Sequence, residues 1–324
     1  MKTPPRPVQP PMLFLELRGA ERWTVRLHPR QGPDPAPGQS KMGGHFLWPA
    51  DEPWPSCPLG QATGGQRHDQ DRRFLEEEQA RRHSLGDSGW ALGQPHGAYV
   101  GVLQLHADDV PELGFPEGTD LFQLLWCPRD HPPQYCPDCR VFWRRAADVT
   151  RPLSITPVPE NADNDLIPRP CVVAPERVIE YPNIADLPEE LRQRIWAWEE
   201  GLADNEAELA TAGTSAGAWS YQSHLSIAPG TKVGGYVSWV QDPTVPLCAT
   251  CGTVMEHLLT VASWESDGAS RQAWMPEEER TSSDTTRRRG QDGAGLMLGD
   301  AGDLYLFICR RCANWPIAWI HQCS

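Results

Sequence analysis

A chain that repeats itself must fold so that both copies meet the same local demands, and this chain repeats itself. Ser40-Lys41-Met42-Gly43-Gly44-His45-Phe46-Leu47-Trp48 aligns without a gap on Thr231-Lys232-Val233-Gly234-Gly235-Tyr236-Val237-Ser238-Trp239. Continuing at the same offset pairs Asp51 with Asp242, Pro55 with Pro246 and Cys57 with Cys248, seven identities in 18 positions. The halves also close alike. Asp120-Leu121-Phe122 leads through an apolar run to Cys127, and Asp303-Leu304-Tyr305 leads through another to Cys309. Each half then ends in a Trp-bearing segment, Val141-Phe142-Trp143 and Ile317-Ala318-Trp319. β-Branched and aromatic residues entered through Gly and Asp read as buried strands behind tight turns. The expected fold is therefore α+β, β-rich and internally duplicated, with two similar halves of short antiparallel strands and a few helices.

Residues 1–39 read as an N-terminal strand and linker, 40–150 as the first half, 151–230 as a helix-containing connector and 231–324 as the second half. Inside the connector, Ile184 to Ala210 has helical character, with Asp186 placed to cap and Pro188 in the first turn. Leu191, Ile195 and Trp198 recur at helical spacing and form a packing stripe. Two polar stretches, Gly60 to Gly89 and Glu265 to Gly295, interrupt the halves at matching places and read as mobile loops, with Arg72 to Arg82 as a short surface helix.

The chain has 324 residues, enough to bury a core without disulfide staples, so its ten cysteines ask for another explanation. Cys248-Ala249-Thr250-Cys251 and Cys309-Arg310-Arg311-Cys312 are two pairs at two-residue spacing. Such a pair puts adjacent thiolates on one tetrahedral metal from a tight turn, and two pairs complete a zinc site. Four sulfur ligands leave no position for water, so a zinc there holds the fold. Buried free thiols and a redox pair are the competing readings. The first half offers a looser set, Cys57, Cys127, Cys136 and Cys139 with His131 beside them, as a second zinc site. Cys251 faces Gly60 in the repeat, so that site must draw its ligands differently.

Only three lysines occur, Lys2, Lys41 and Lys232, and two of them hold the same place in the repeat. The chemical reading makes Lys41, Gly43 and Gly44, and likewise Lys232, Gly234 and Gly235, an anion-binding nest with a point charge beside it. The structural reading is a glycine turn whose lysine lies over Trp48 or Trp239, or pairs with Asp51 or Asp242. No nucleophile elbow, phosphate loop or dinucleotide fingerprint accompanies them, and no catalytic set emerges.

A formal charge of −14 opposes the phosphate backbone, which argues against nucleic acid as a partner and for a basic one. The apolar run Met12 to Leu17 is too short for a signal peptide or membrane span, so the expectation is a soluble cytoplasmic chain away from membranes.

Ser40-Lys41-Met42-Gly43-Gly44 leading to Trp48-Pro49 and Trp54-Pro55, then Leu103-Gln104-Leu105 and Phe115-Pro116-Glu117-Gly118, resembles the YwqG-like domain of unknown function, a widespread bacterial family. The resemblance implies a duplicated α+β architecture and, through association with secreted toxin systems, an immunity or interaction role. It implies no reaction and no catalytic residues, and the cysteine pairs lie outside its motifs. Two functions stand at this point. One is a zinc-stabilised binding protein for a protein or small ligand; the other is a metal-dependent hydrolase in which Cys57, Cys127 and His131 leave one metal position open.

Overall fold

A computed structural model describes residues 1–57, 97–129, 131, 136–157, 159, 163–210, 219–280 and 290–324. The stretch Gly60 to Gly89, and the short helix expected at Arg72 to Arg82, lie outside the described residues. The strands are β1 (Arg22–Arg26), β2 (Arg30–Gln31), β3 (Lys41–Met42), β4 (Val100–His106), β5 (Leu121–Trp126), β6 (Cys139–Arg144), β7 (Cys171–Val172), β8 (Glu176–Glu180), β9 (Lys232–Gly234), β10 (Glu256–Ala262), β11 (Asp303–Ile308) and β12 (Ile317–Gln322). The α-helices are α1 (Pro10–Leu13), α2 (Glu189–Ala210), α3 (Arg271–Trp274) and α4 (Glu277–Arg280). The strands form two six-stranded sheets, ordered β12-β11-β10-β9-β1-β8 and β6-β5-β4-β3-β7-β2. This is the β-rich α+β fold that the repeat demands.

The duplication extends to register. In β4 and β5, Val100 faces Trp126, Gly101 faces Leu125, and a bulge shifts the next pair to Leu103 and Leu124. In β10 and β11, Glu256 faces Ile308, His257 faces Phe307, and the same bulge shifts the next pair to Leu259 and Leu306. Each copy fills the space beside its bulge differently. A Cβ on Gly101 would meet the Phe46 ring at 2.8 Å, whereas the second half has His257 there and the smaller Val237.

The chain divides into two compact units, residues 1–30, 173–293 and 300–324 in one, and 31–172 with 294–299 in the other. The N-terminal segment thus joins the second repeat, because β1 lies between β9 and β8 and hydrogen-bonds to both. The connector is shared, giving β7 to one sheet and β8 to the other. Helix α2 begins at Glu189, after a 3-10 turn at Ile184–Asp186 whose cap is the Asn183 side chain. Its stripe packs as its spacing requires: Leu191 and Ile195 are buried with Phe14, Leu17 and Tyr221, and Trp198 stacks edge-on against Phe14 at 6.0 Å.

The stretch Glu265 to Gly295 corrects the expectation of a mobile loop. Its described part carries α3 and α4, and Glu265, Trp274 and Glu279 are buried. Polar composition misleads here because the polar groups find partners inside: Trp274 Nε1 donates to Ser223 O at 3.0 Å, and Glu265 Oε1 accepts from the Thr231 amide at 3.0 Å. Among the described residues, no helix is long and apolar enough to cross a membrane.

Candidate metal centres and the lysine clamps

The second-half cysteines come together from two tight turns. In the first, the Cys248 amide donates to Thr253 O at 2.8 Å, the Gly252 amide donates to Cys248 O at 2.8 Å, and Gly252 takes φ +69° to close the knuckle. In the second, between β11 and β12, the Cys309 amide donates to Pro316 O at 2.9 Å and the Trp315 amide donates to Cys312 O at 3.0 Å. The sulfurs of Cys248 and Cys312 lie 3.8 Å apart, those of Cys251 and Cys309 3.6 Å, and those of Cys309 and Cys312 3.8 Å. All four ligand atoms fall within 4.8 Å of one another, so the cluster could hold a metal ion. Cys248 and Cys309 are buried against Val237, Met255, Tyr305 and Phe307, while Cys251 is exposed. Hydrogen bonds from the Thr253 hydroxyl and amide pull the Cys251 thiol down to about 6, toward the thiolate that binds metal.

The first half repeats this framework. Cys57 N donates to Gly97 O at 2.9 Å, Tyr99 N donates to Pro55 O at 3.0 Å, and Cys127 N donates to Asp138 O at 2.9 Å, matching the bonds made by Cys248, Met255 and Cys309. Cys57, Cys127 and His131 gather within 4.8 Å, with Cys57 Sγ 3.8 Å from His131 Nε2, and this group too could hold a metal. His131 follows Cys127 by four residues where Cys312 follows Cys309 by three, so an imidazole stands near the fourth thiolate's place. Cys136 and Cys139 are not among the gathered atoms. Cys136 forms a backbone bridge with His131, and Cys139 opens β6 opposite Trp126. Two-residue spacing thus does not by itself bring their sulfurs within 4.8 Å of the other three ligand atoms. Gly60, opposite Cys251 in the repeat, lies outside the described residues.

The surroundings differ in charge. Beside the first-half group, the Tyr99 hydroxyl donates to Asp138 and the Arg140 guanidinium donates to the Tyr99 oxygen at 3.2 Å. Its bond with Cys57 and burial raise the Cys127 thiol, and burial raises Cys139. A metal at this group would have to displace protons that the apolar core retains.

Both repeat lysines are buried, Lys41 at 0% and Lys232 at 1% exposure, which removes them from any surface nest. Each ammonium donates to the carbonyl four residues on, Lys41 to His45 O at 2.6 Å and Lys232 to Tyr236 O at 2.7 Å. Their other partners diverge. Lys41 Nζ donates to Pro35 O at 3.0 Å and Ala36 O at 2.6 Å, so its three hydrogens are all taken by carbonyls. Lys232 Nζ donates to Glu180 Oε1 at 2.5 Å; that carboxylate, 0% exposed, also accepts from the amides of Ala228 at 2.9 Å and Tyr236 at 2.7 Å. Neither lysine uses Asp51 or Asp242, the partners the sequence offered; their hydrogens go to carbonyls of neighbouring turns and, for Lys232, to the distant Glu180. Burial lowers both ammonium groups, Lys41 to about 8.

The glycines serve these clamps rather than an anion. Gly43 at φ +60° would drive a Cβ to 2.4 Å from Pro168 O, and Gly235 at φ +70° would drive one to 2.2 Å from Glu180 Oε2. Gly44 and Gly234 share the left-handed conformation at φ +71° and +69°. No protein-family model matches the chain, and no curated protein is significantly similar to it.

Proposed function

We propose that the chain is a zinc-stabilised cytoplasmic binding protein, and the observation that supports this most is the convergence of four sulfurs from two knuckles. A tetrahedron with metal–sulfur distances of about 2.3 Å places its sulfurs about 3.8 Å apart, as zinc thiolate sites require. The separations of 3.8, 3.6 and 3.8 Å in the second-half cluster fit that spacing. Zinc bound there supplies structural cross-linking of the two knuckles, with every position taken by protein. Cys57, Cys127 and His131 would hold a second zinc.

Thiolate ligation suits a reducing compartment. The charge of −14 favours a basic protein or small ligand as partner, steered by complementarity. The resemblance to the YwqG-like family agrees with an interaction role. The first-half group supports a second reading, a metal-dependent hydrolase, because three protein ligands are what a catalytic zinc keeps while a fourth position takes water.

Elemental analysis and X-ray absorption of the purified chain separate the two. The binding reading expects zinc in the four-cysteine cluster with a full protein shell, and any second zinc at Cys57, Cys127 and His131 completed by a fourth protein ligand. A shell containing water at the first-half site favours the hydrolase, and a metal-free chain of undiminished thermal stability ends the zinc reading altogether.

A further inference from the structure

The two sheets share one strand order, and they part company at the edge. Beyond β9 the second-half sheet continues with the five-residue strands β1 and β8; beyond β3 the other continues with β7 and β2, two residues each. Pro170, immediately before β7, has no N–H to extend the ladder. Where those strands fall short, a cleft of about 600 Å³ opens, floored by Gly44, His45 and Gly101. Five prolines, Pro35, Pro37, Pro157, Pro168 and Pro170, line it with rigid apolar rings.

The register identifies what is missing. In the second half the Tyr236 amide donates to Glu180 Oε2 at 2.7 Å. Its repeat equivalent, the His45 amide, has no acceptor among the described residues, although the His45 carbonyl and ring are engaged. Asp34 lies beside the place Glu180 fills, since an added Cβ would meet Asp34 Oδ1 at 2.5 Å on Gly44 and Glu180 Oε2 at 2.2 Å on Gly235, but no hydrogen bond joins it to the His45 amide as one joins Glu180 to Tyr236. Asp34 is nonetheless exposed and accepts no hydrogen bond among the described residues; the buried Lys41 ammonium acts on it through charge while giving its hydrogens to carbonyls. The His45 ring is held in one tautomer. Its Nδ1 accepts from the Thr156 amide at 3.1 Å, so in the neutral ring Nε2 carries the hydrogen and donates.

The cleft therefore offers one carboxylate, two donors on His45 and an apolar wall. That set complements an ammonium adjacent to a carbonyl or carboxylate oxygen, carried on an apolar body. We propose that this cleft binds the α-amino group and neighbouring oxygen of an apolar amino acid or of a peptide's amino terminus. The ammonium pairs with Asp34, the oxygen takes from the His45 amide the hydrogen bond that Glu180 takes from Tyr236, and the apolar side chain packs on the prolines. This rests on the reading of the chain as a binding protein and names the chemistry of its ligand.

The test titrates the full zinc-loaded chain with phenylalanine, with phenylalanyl-alanine and with N-acetyl-phenylalanyl-alanine, by calorimetry and by the His45 amide resonance. The free amines are expected to bind and to shift that resonance downfield. Acetylation weakens binding at least about tenfold, as loss of a charged hydrogen bond does, and Asp34→Asn weakens the free amines to the same degree while leaving the acetylated peptide unchanged. Tighter binding of phenylalanine than of the dipeptide assigns the site to free amino acids, and the reverse assigns it to peptide termini. Equal binding of the acetylated peptide, binding without a His45 shift, or no binding by any of the three overturns the proposal. Zinc content measured on the same sample separates this failure from that of the wider reading, since a chain with full metal and no amine binding loses only the cleft.

Discussion

The Lys232 clamp and the Lys41 clamp begin from the same local sequence and end in different electrostatics. Lys232 faces a buried carboxylate, Glu180, which also gathers the Ala228 and Tyr236 amides. Lys41 donates to the carbonyls of Pro35, Ala36 and His45, and the carboxylate near it, Asp34, is exposed and acts on it through charge without a hydrogen bond. The difference follows from the edge strands. Long β1 and β8 carry Glu180 inward in one unit, while short β7 and β2 leave Asp34 at the surface in the other. A duplicated motif thus preserves its cation and its glycine turn, and the strands outside the repeat decide whether that cation is neutralised. The metal groups show the same divergence. Four cysteine sulfurs converge in one copy and two with an imidazole in the other, on matching backbone hydrogen bonds.

The largest contrast is expected at the metal groups. Cys309→Ser should remove one zinc and on the order of 10 kcal/mol of metal-linked stability, so that the unit holding it fails to fold, read by zinc content and by circular dichroism. Cys127→Ser should lower the zinc count by one while the four-cysteine cluster keeps its metal and its absorption spectrum. Loss of both metals in either variant would contradict two independent sites.

The lysine clamps come next. Lys232→Met should cost about 3–5 kcal/mol in urea unfolding, since it leaves Glu180 buried without its cation. Lys41→Met should cost about 1–3 kcal/mol, because it strands carbonyls rather than a charge. Equal costs would show that Glu180 does not distinguish the copies. Gly235→Ala should cost about 1–3 kcal/mol, as it combines a strained left-handed backbone with a collision at Glu180. If the thermal midpoint holds, the turn has another way to relax.

A pH dependence is expected at Lys41. Its folded ammonium is lowered by burial from 10.5 to about 8. Between these values the unfolded chain binds the proton more strongly, so stability rises with pH. The contribution is complete above the unfolded value and is lost as pH falls through about 8. The stability advantage of the wild-type chain over Lys41→Met should therefore widen from pH 8 toward pH 10.5, measured by denaturant unfolding at each pH. A flat difference would mean that the three carbonyls hold the proton as firmly as water does.

Several elements were legible before the fold was known because they rest on contacts near in sequence. The stripe Leu191, Ile195 and Trp198 follows from helical period, and the Cys248 and Cys309 knuckles follow from two-residue spacing. Polarity was the weaker guide: Glu265 to Gly295 reads as loop, yet Trp274 and two of its carboxylates are buried. Cys136 and Cys139 have ligand spacing too, but their sulfurs do not join the group of Cys57, Cys127 and His131, because where a side chain arrives depends on the distant segments that carry it.

By itself the sequence determined the duplication, the lysine-glycine turns and the paired thiolates, since each is a local pattern that chemistry constrains within a few residues. Only the tertiary structure decided that residues 22–26 and 176–180 complete one sheet, that Glu180 meets Lys232 across 52 positions, and that the other sheet stops short at Pro170. Those outcomes depend on which distant strands pair, and strand pairing is settled by the burial of whole faces, which no local pattern records. The cleft beside His45 belongs to that second class, an opening left where the folded edge of one copy is shorter than that of its twin.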